Sequence, residues 1–142
     1  MKRREFMKES WLLCITSGAG ILASGLASCA SYPVYETVAN GNTIAVPRIL
    51  IEREIPRLVR VKDFPYDIAL RLDAQGNCQA LLLRCTHADN QLTLAGSGYY
   101  CSLHGSTFDR KGDVTHGPAQ RPLQSLRTEV TPEHVTIHLP IR

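Results

Sequence analysis

The sequence predicts an all-β domain, and three observations carry that reading. Apolar runs are short and separated by turn residues, where a helical chain would repeat them every three or four positions. Asp73-Ala74-Gln75-Gly76-Asn77 places a hairpin turn between the two longest runs. Two short boxes, Cys85-Thr86-His87 and Cys101-Ser102-Leu103-His104, lie among Gly96, Gly98, Gly105 and Gly112, which permit the tight loops that would project from a base of strands.

At 142 residues, one domain is the default. The net charge is +3, but from Cys29 onward 12 basic residues face 11 acidic ones. No basic stripe interleaved with aromatics remains, which excludes a nucleic-acid footprint. Five cysteines, at 14, 29, 78, 85 and 101, are an odd number and exclude a complete disulfide framework. Cys78 reads as a buried free thiol on a strand.

The elements follow in order. Residues 1–28 read as a signal segment: Arg3-Arg4-Glu5-Phe6-Met7-Lys8 precedes an apolar run from Trp11 to Ser28 diluted by glycine and serine. This resembles a twin-arginine signal, a route that exports proteins already folded and suits a cofactor inserted in the cytoplasm. Leu26-Ala27-Ser28-Cys29 resembles a lipoprotein box, which implies lipidation at Cys29 and a mature chain starting there. A rival reading keeps the run of about eighteen residues as an uncleaved membrane anchor, near the lower limit for spanning a bilayer. Both readings place the domain outside the cytoplasmic membrane, on the periplasmic side, anchored to it.

Residues 29–42 read as an extended tether containing Pro33 and Gly41, and residues 43–142 as the domain. Candidate strands run from Thr43 to Val46, Arg57 to Val61, Tyr66 to Leu72, Cys78 to Arg84, Gln91 to Leu94, Leu126 to Val130 and Val135 to Leu139. Leu81-Leu82-Leu83 is continuous rather than alternating, so that strand is expected to be buried on both faces and to lead into the first cysteine box. His134 and His138 alternate with Val135 and Ile137 and are expected to face solvent.

The boxes carry the chemistry. Cys-x-His and Cys-x-x-His offer two thiolates and two imidazoles in two tight pairs, a metal site by spacing, with ligand softness that suits zinc as well as iron. Zinc modules more usually repeat Cys-x-x-Cys or end in His-x-x-x-His, whereas here each arm gives one cysteine and one histidine. That division suits a binuclear cluster approached by two loops. Asp89 and Asp109 lie near the boxes with no nucleophile beside them and read as turn residues; His116 reads as a solvated loop residue.

From Cys85 to Leu123 the chain resembles the cluster-binding region of Rieske iron-sulfur proteins, with its two boxes thirteen residues apart and a following Gly117-Pro118-Ala119 turn. The resemblance implies an antiparallel β-sandwich base with a cluster-binding subdomain of two ligand loops. It implies one 2Fe-2S cluster per chain, Cys85 and Cys101 on the buried iron and His87 and His104 on the exposed one. Pro118 matches a proline loop closing over the cluster, and Ser106 a serine that donates to a bridging sulfide. Asn90 and Leu103 stand where high-potential members carry a loop disulfide, and Phe108 where they carry a tyrosine donor, which implies an intermediate or low potential.

The function implied is electron transfer, by an exported membrane-tethered carrier or small redox subunit of an oxidoreductase, with a redox partner protein and the membrane as partners. The alternatives are the Rieske subunit of a quinol:cytochrome c reductase or periplasmic oxidase with an uncleaved anchor, and a zinc-binding structural module. Oxygenase chemistry within the chain would need a second, mononuclear iron site of two histidines and a carboxylate, for which no further domain is left. No catalytic residue is assigned.

Overall fold

The computed structural model describes residues 32–140. Residues 1–28, read above as a signal segment, and Cys29 lie outside the described residues. Among those described, no helix is long and apolar enough to cross a membrane.

Apart from one 3-10 turn at Arg48–Leu50, the regular elements of the described chain are all strands. A five-stranded sheet runs in the order β1 (Val34–Thr37), β3 (Arg57–Val61), β4 (Ile68–Leu72), β5 (Cys78–Leu82) and β10 (Ser125–Leu126). A three-stranded sheet contains β11 (Thr128–Val130), β12 (His134–His138) and β2 (Thr43–Pro47). These two layers form the base. A separate four-stranded sheet, β6 (Thr93–Ala95), β7 (Gly98–Tyr100), β8 (Thr107–Phe108) and β9 (Val114–His116), builds the subdomain that carries the second box.

Strand alternation divides the apolar residues between two cores. Ile68, Leu70, Ala80 and Leu82 face Ile44, Val46, Val135 and Ile137 in the base. Ala69, Leu81 and Leu83 point the other way, into a second core with Leu92, Tyr99, Phe108, Leu123 and both cysteines of the boxes. Strands β4 and β5 are therefore covered on both sides, the arrangement that the unbroken Leu81-Leu82-Leu83 predicts. His134 is exposed and His138 partly so, while Val135 and Ile137 between them are fully buried.

Several expectations need correction. Within the span 29–42, read as an extended tether, the chain forms β1 from Val34 to Thr37. β1 pairs with β3 in parallel, Val34 opposite Leu58 and Thr37 opposite Val61, while the other strand pairs are antiparallel. Tyr35 and Ala39 pack against the base core and account for its docking there. The run from Leu126 to Val130 is two strands rather than one: Leu126 pairs with Ala80 in the larger sheet and Thr128 with Ile137 in the smaller. The chain changes layers at Arg127, whose carbonyl accepts the His138 N–H at 2.9 Å. Strands β7, β8 and β9, two or three residues each, are too short for an alternation to stand out in sequence. Cys78 is a free thiol but half-buried.

Candidate metal centre

The two boxes fold into the same kind of turn. In the first, the Cys85 N–H donates to the carbonyl of Asn90 at 2.8 Å and the Cys85 carbonyl accepts from the Asp89 N–H at 2.9 Å. In the second, the Cys101 N–H donates to the Ser106 carbonyl and the Cys101 carbonyl accepts from the Gly105 N–H, both at 2.9 Å. Each turn closes through a left-handed residue four places after its cysteine, Asp89 at φ 54° and Gly105 at φ 82°. Glycine takes that conformation freely and aspartate is among the few other residues that tolerate it. Asn90 and Ser106 thus occupy equivalent places, five residues after each cysteine. The first turn is sealed by the Arg84 and Gln91 bridge and by the Tyr66 hydroxyl, which donates to the Asp89 carbonyl at 2.8 Å.

A third segment joins the two. The Thr86 hydroxyl donates to the Arg121 carbonyl at 2.6 Å, and the Ala119 N–H donates to the Ser106 hydroxyl oxygen at 3.0 Å. Residues 117–121, which include the cis Gly117-Pro118 bond, are therefore tied to both turns. Ser106 is fully buried, and because its oxygen accepts from Ala119 its own O–H proton stays available to donate.

Sulfur and nitrogen are segregated. Cys85 and Cys101 are both 0% exposed, walled by Leu83, Leu92, Tyr99, Phe108 and Leu123. His87 and His104 are exposed, their rings edge to face with centroids 4.8 Å apart. Burial pushes the Cys101 thiol up, but hydrogen bonds from the backbone of His104 and Leu103 and from the Cys85 side chain outweigh it and hold the thiol below its ordinary value.

The donor set fits a group with unlike ends. The cysteines meet one another and the histidines meet one another, a soft pair inside and an imidazole pair outside. One further polar group is set into this region: Asn90 Nδ2 is buried without a hydrogen-bond partner.

Other sequence candidates lie apart from this pairing. His116 is exposed on β9. Asp89 is in an ion pair with Arg84 at 3.6 Å, and Asp109 accepts the backbone N–H groups of Lys111 and Asp113, so both serve turns. Phe108 is buried at 2% exposure in the same core as the cysteines, and Pro118 is exposed. The Thr86 and Arg121 tie escaped sequence reasoning, because nothing in a threonine and an arginine thirty-five positions apart marks them as neighbours.

Comparison with known proteins agrees with the geometry. Residues 45–127 match the family model described as the Rieske [2Fe-2S] domain. The chain is 26% identical over 101 residues to the cytochrome b6-f complex iron-sulfur subunit 2 of Trichormus variabilis, covering 68% of this chain and 57% of that one. It is 28% identical over 75 residues to the subunit of the same name from Nostoc sp., covering 51% of this chain and 42% of that one. It thus spans about half the length of these curated relatives. A chain of the complex of reduced oxygenase and oxidized ferredoxin in carbazole 1,9a-dioxygenase shares the fold at a TM-score of 0.50 and 22% identity, covering 70% of this chain and 94% of that chain.

Proposed function

The chain belongs to the Rieske [2Fe-2S] domain family, and from that premise we propose that Cys85 and Cys101 hold the inner iron of its 2Fe-2S cluster and His87 and His104 the outer one. Its function is Rieske-type electron transfer. The observation that carries the ligand assignment is the segregation itself, two fully buried sulfurs against two exposed imidazoles 4.8 Å apart. When bound, the cluster takes up and releases one electron.

The residues of the chain set the conditions for that exchange. Leu83, Leu92, Tyr99, Phe108 and Leu123 keep water from the thiolates, while the exposed histidines give a partner protein a short approach. Ser106, with its proton free, donates to a sulfur and stabilises the reduced, more negative state, which raises the potential. Phe108 has no hydroxyl and adds no such bond. With Asn90 and Leu103 in place of a stapling disulfide, the potential falls below that of quinol-oxidising relatives.

Residues 1–28 are an export signal on this reading, Cys29 carries lipid, and the domain works at the periplasmic face of a membrane as a carrier or small redox subunit. The twin arginines and the Leu26-Ala27-Ser28-Cys29 box support this. Its partner is a redox protein; the relatives are named as iron-sulfur subunits of the cytochrome b6-f complex, which favours a partner of the electron-transfer kind. The direct test is replacement of either histidine. His87→Ala or His104→Ala should abolish the rhombic paramagnetic resonance of the dithionite-reduced protein, and an unchanged signal would remove the histidines from the site.

A further inference from the structure

Asn90 is the residue whose chemistry remains unused. Among the described residues it carries the buried side-chain polar atom that finds no hydrogen-bond partner, the amide nitrogen Nδ2. A buried N–H left unpaired costs roughly 1–3 kcal/mol, so a folded chain retains one where an acceptor is to come from elsewhere. Acceptors adjoining it in sequence each take another donor: the Asn90 backbone carbonyl takes the Cys85 N–H, the Asp89 carbonyl takes the Tyr66 hydroxyl, and Gln91 Oε1 takes the Asp67 N–H. The equivalence of the two turns adds a second, independent observation. Asn90 stands five residues after Cys85 as Ser106 stands five after Cys101, both carbonyls accepting the N–H of their cysteine. Ser106 likewise has a donor proton for which the described residues show no acceptor, its oxygen accepting from Ala119.

We propose that Asn90 Nδ2–H donates a hydrogen bond to a sulfur of the cluster or of Cys85, so that each cysteine turn supplies one side-chain donor from the same position, amide in one and hydroxyl in the other. The proposal rests on the cluster assignment above. Sulfur is an acceptor that gains strength as the cluster is reduced, so the bond favours the reduced state and raises the midpoint potential. Asn90 touches no substrate; it is a residue that tunes the centre.

Two measurements test it. Wild-type protein grown with asparagine labelled with nitrogen-15 only at the side-chain amide carries the label at 40, 42, 77 and 90. Asn40 and Asn42 lie in the turn between β1 and β2, and the Asn77 amide donates to Asp73 Oδ2 at 3.0 Å, so Asn90 alone belongs to a cysteine turn. Pulsed paramagnetic resonance of the reduced protein should find a nitrogen-15 coupling absent from unlabelled material. Asn90→Leu, with the same branched arrangement of side-chain heavy atoms and without a donor, should retain the rhombic signal, lose one coupling to an exchangeable proton and show a lower midpoint potential by voltammetry. No nitrogen-15 coupling in the wild type overturns the proposal, as does an Asn90→Leu potential equal to wild type. If Asn90→Leu fails to take up the cluster, the wild-type labelling decides alone. A wild type with no rhombic signal at all would instead sink the cluster assignment, and this proposal with it.

Discussion

At Ser106 one hydroxyl joins the second cysteine turn to the segment after Pro118, through a buried bond of 3.0 Å from the Ala119 N–H. Removing it strands that N–H inside the protein. Ser106→Ala should therefore cost about 1–3 kcal/mol in urea unfolding, and, if the proposed donation to sulfur holds, should lower the midpoint potential as well; a stability within error of wild type would contradict the packing described. Phe108 offers the opposite experiment. It is 2% exposed and shares its core with both cysteines, so Phe108→Tyr puts a hydroxyl where no donor stands. Voltammetry should find the potential raised, and an unchanged value would count against hydrogen bonding as the cause of the intermediate or low potential proposed for this centre. The four metal-binding candidates were legible in the sequence because Cys-x-His and Cys-x-x-His are chemically specific spacings. Asn90 was legible only as an absence, since burial of one amide nitrogen without a partner belongs to the folded chain and leaves no trace in residue order.

At the scale of elements, the hairpin from β4 to β5 was readable because its turn chemistry is local. Asp73 accepts from the backbone N–H of Gln75 and Asn77 at 2.9 and 2.8 Å and from the Asn77 amide at 3.0 Å. The Asn77 amide chiefly, with these N–H groups, outweighs a modest effect of burial and holds the Asp73 carboxyl below its ordinary 3.8. A carboxyl depressed in the folded state contributes stability that is whole above 3.8 and is lost as pH falls through the lower folded value. The destabilisation caused by Asp73→Ala should accordingly be present at neutral pH and shrink in acid, measured by urea titration at both. Of the small sheet, the strand expected from Gln91 to Leu94 overlaps β6, but β7 to β9 were not readable, because their order comes from tertiary contact. Gly98 in β7 shows this: a Cβ there would collide with the Phe108 carbonyl oxygen. Gly98→Ala should force β7 from β8 and destabilise by about 1–3 kcal/mol or more, with thermal melting as the readout; a melting temperature equal to wild type would contradict the register.

For the whole molecule, three layers share two central strands. β4 and β5 give alternate residues to the base core and to the cysteine core, so the site rests on a surface buried from both sides. That design was half visible in Leu81-Leu82-Leu83. What the continuous run could not disclose was which layer covers each face, since the partners of one face come from β2 and β12 and of the other from β7 and β8. The parallel docking of β1 escaped notice for the same reason: four residues of modest burial gain their place from the free edge of β3. The claim on which the rest depends is that the two pairs of side chains grip a binuclear cluster with sulfur inward and imidazole outward. Iron and acid-labile sulfide analysis with paramagnetic resonance on the purified, dithionite-reduced protein tests it most directly. The account predicts two irons and two sulfides per chain with a rhombic signal carrying nitrogen couplings; a single zinc, with neither iron nor labile sulfide, would contradict it.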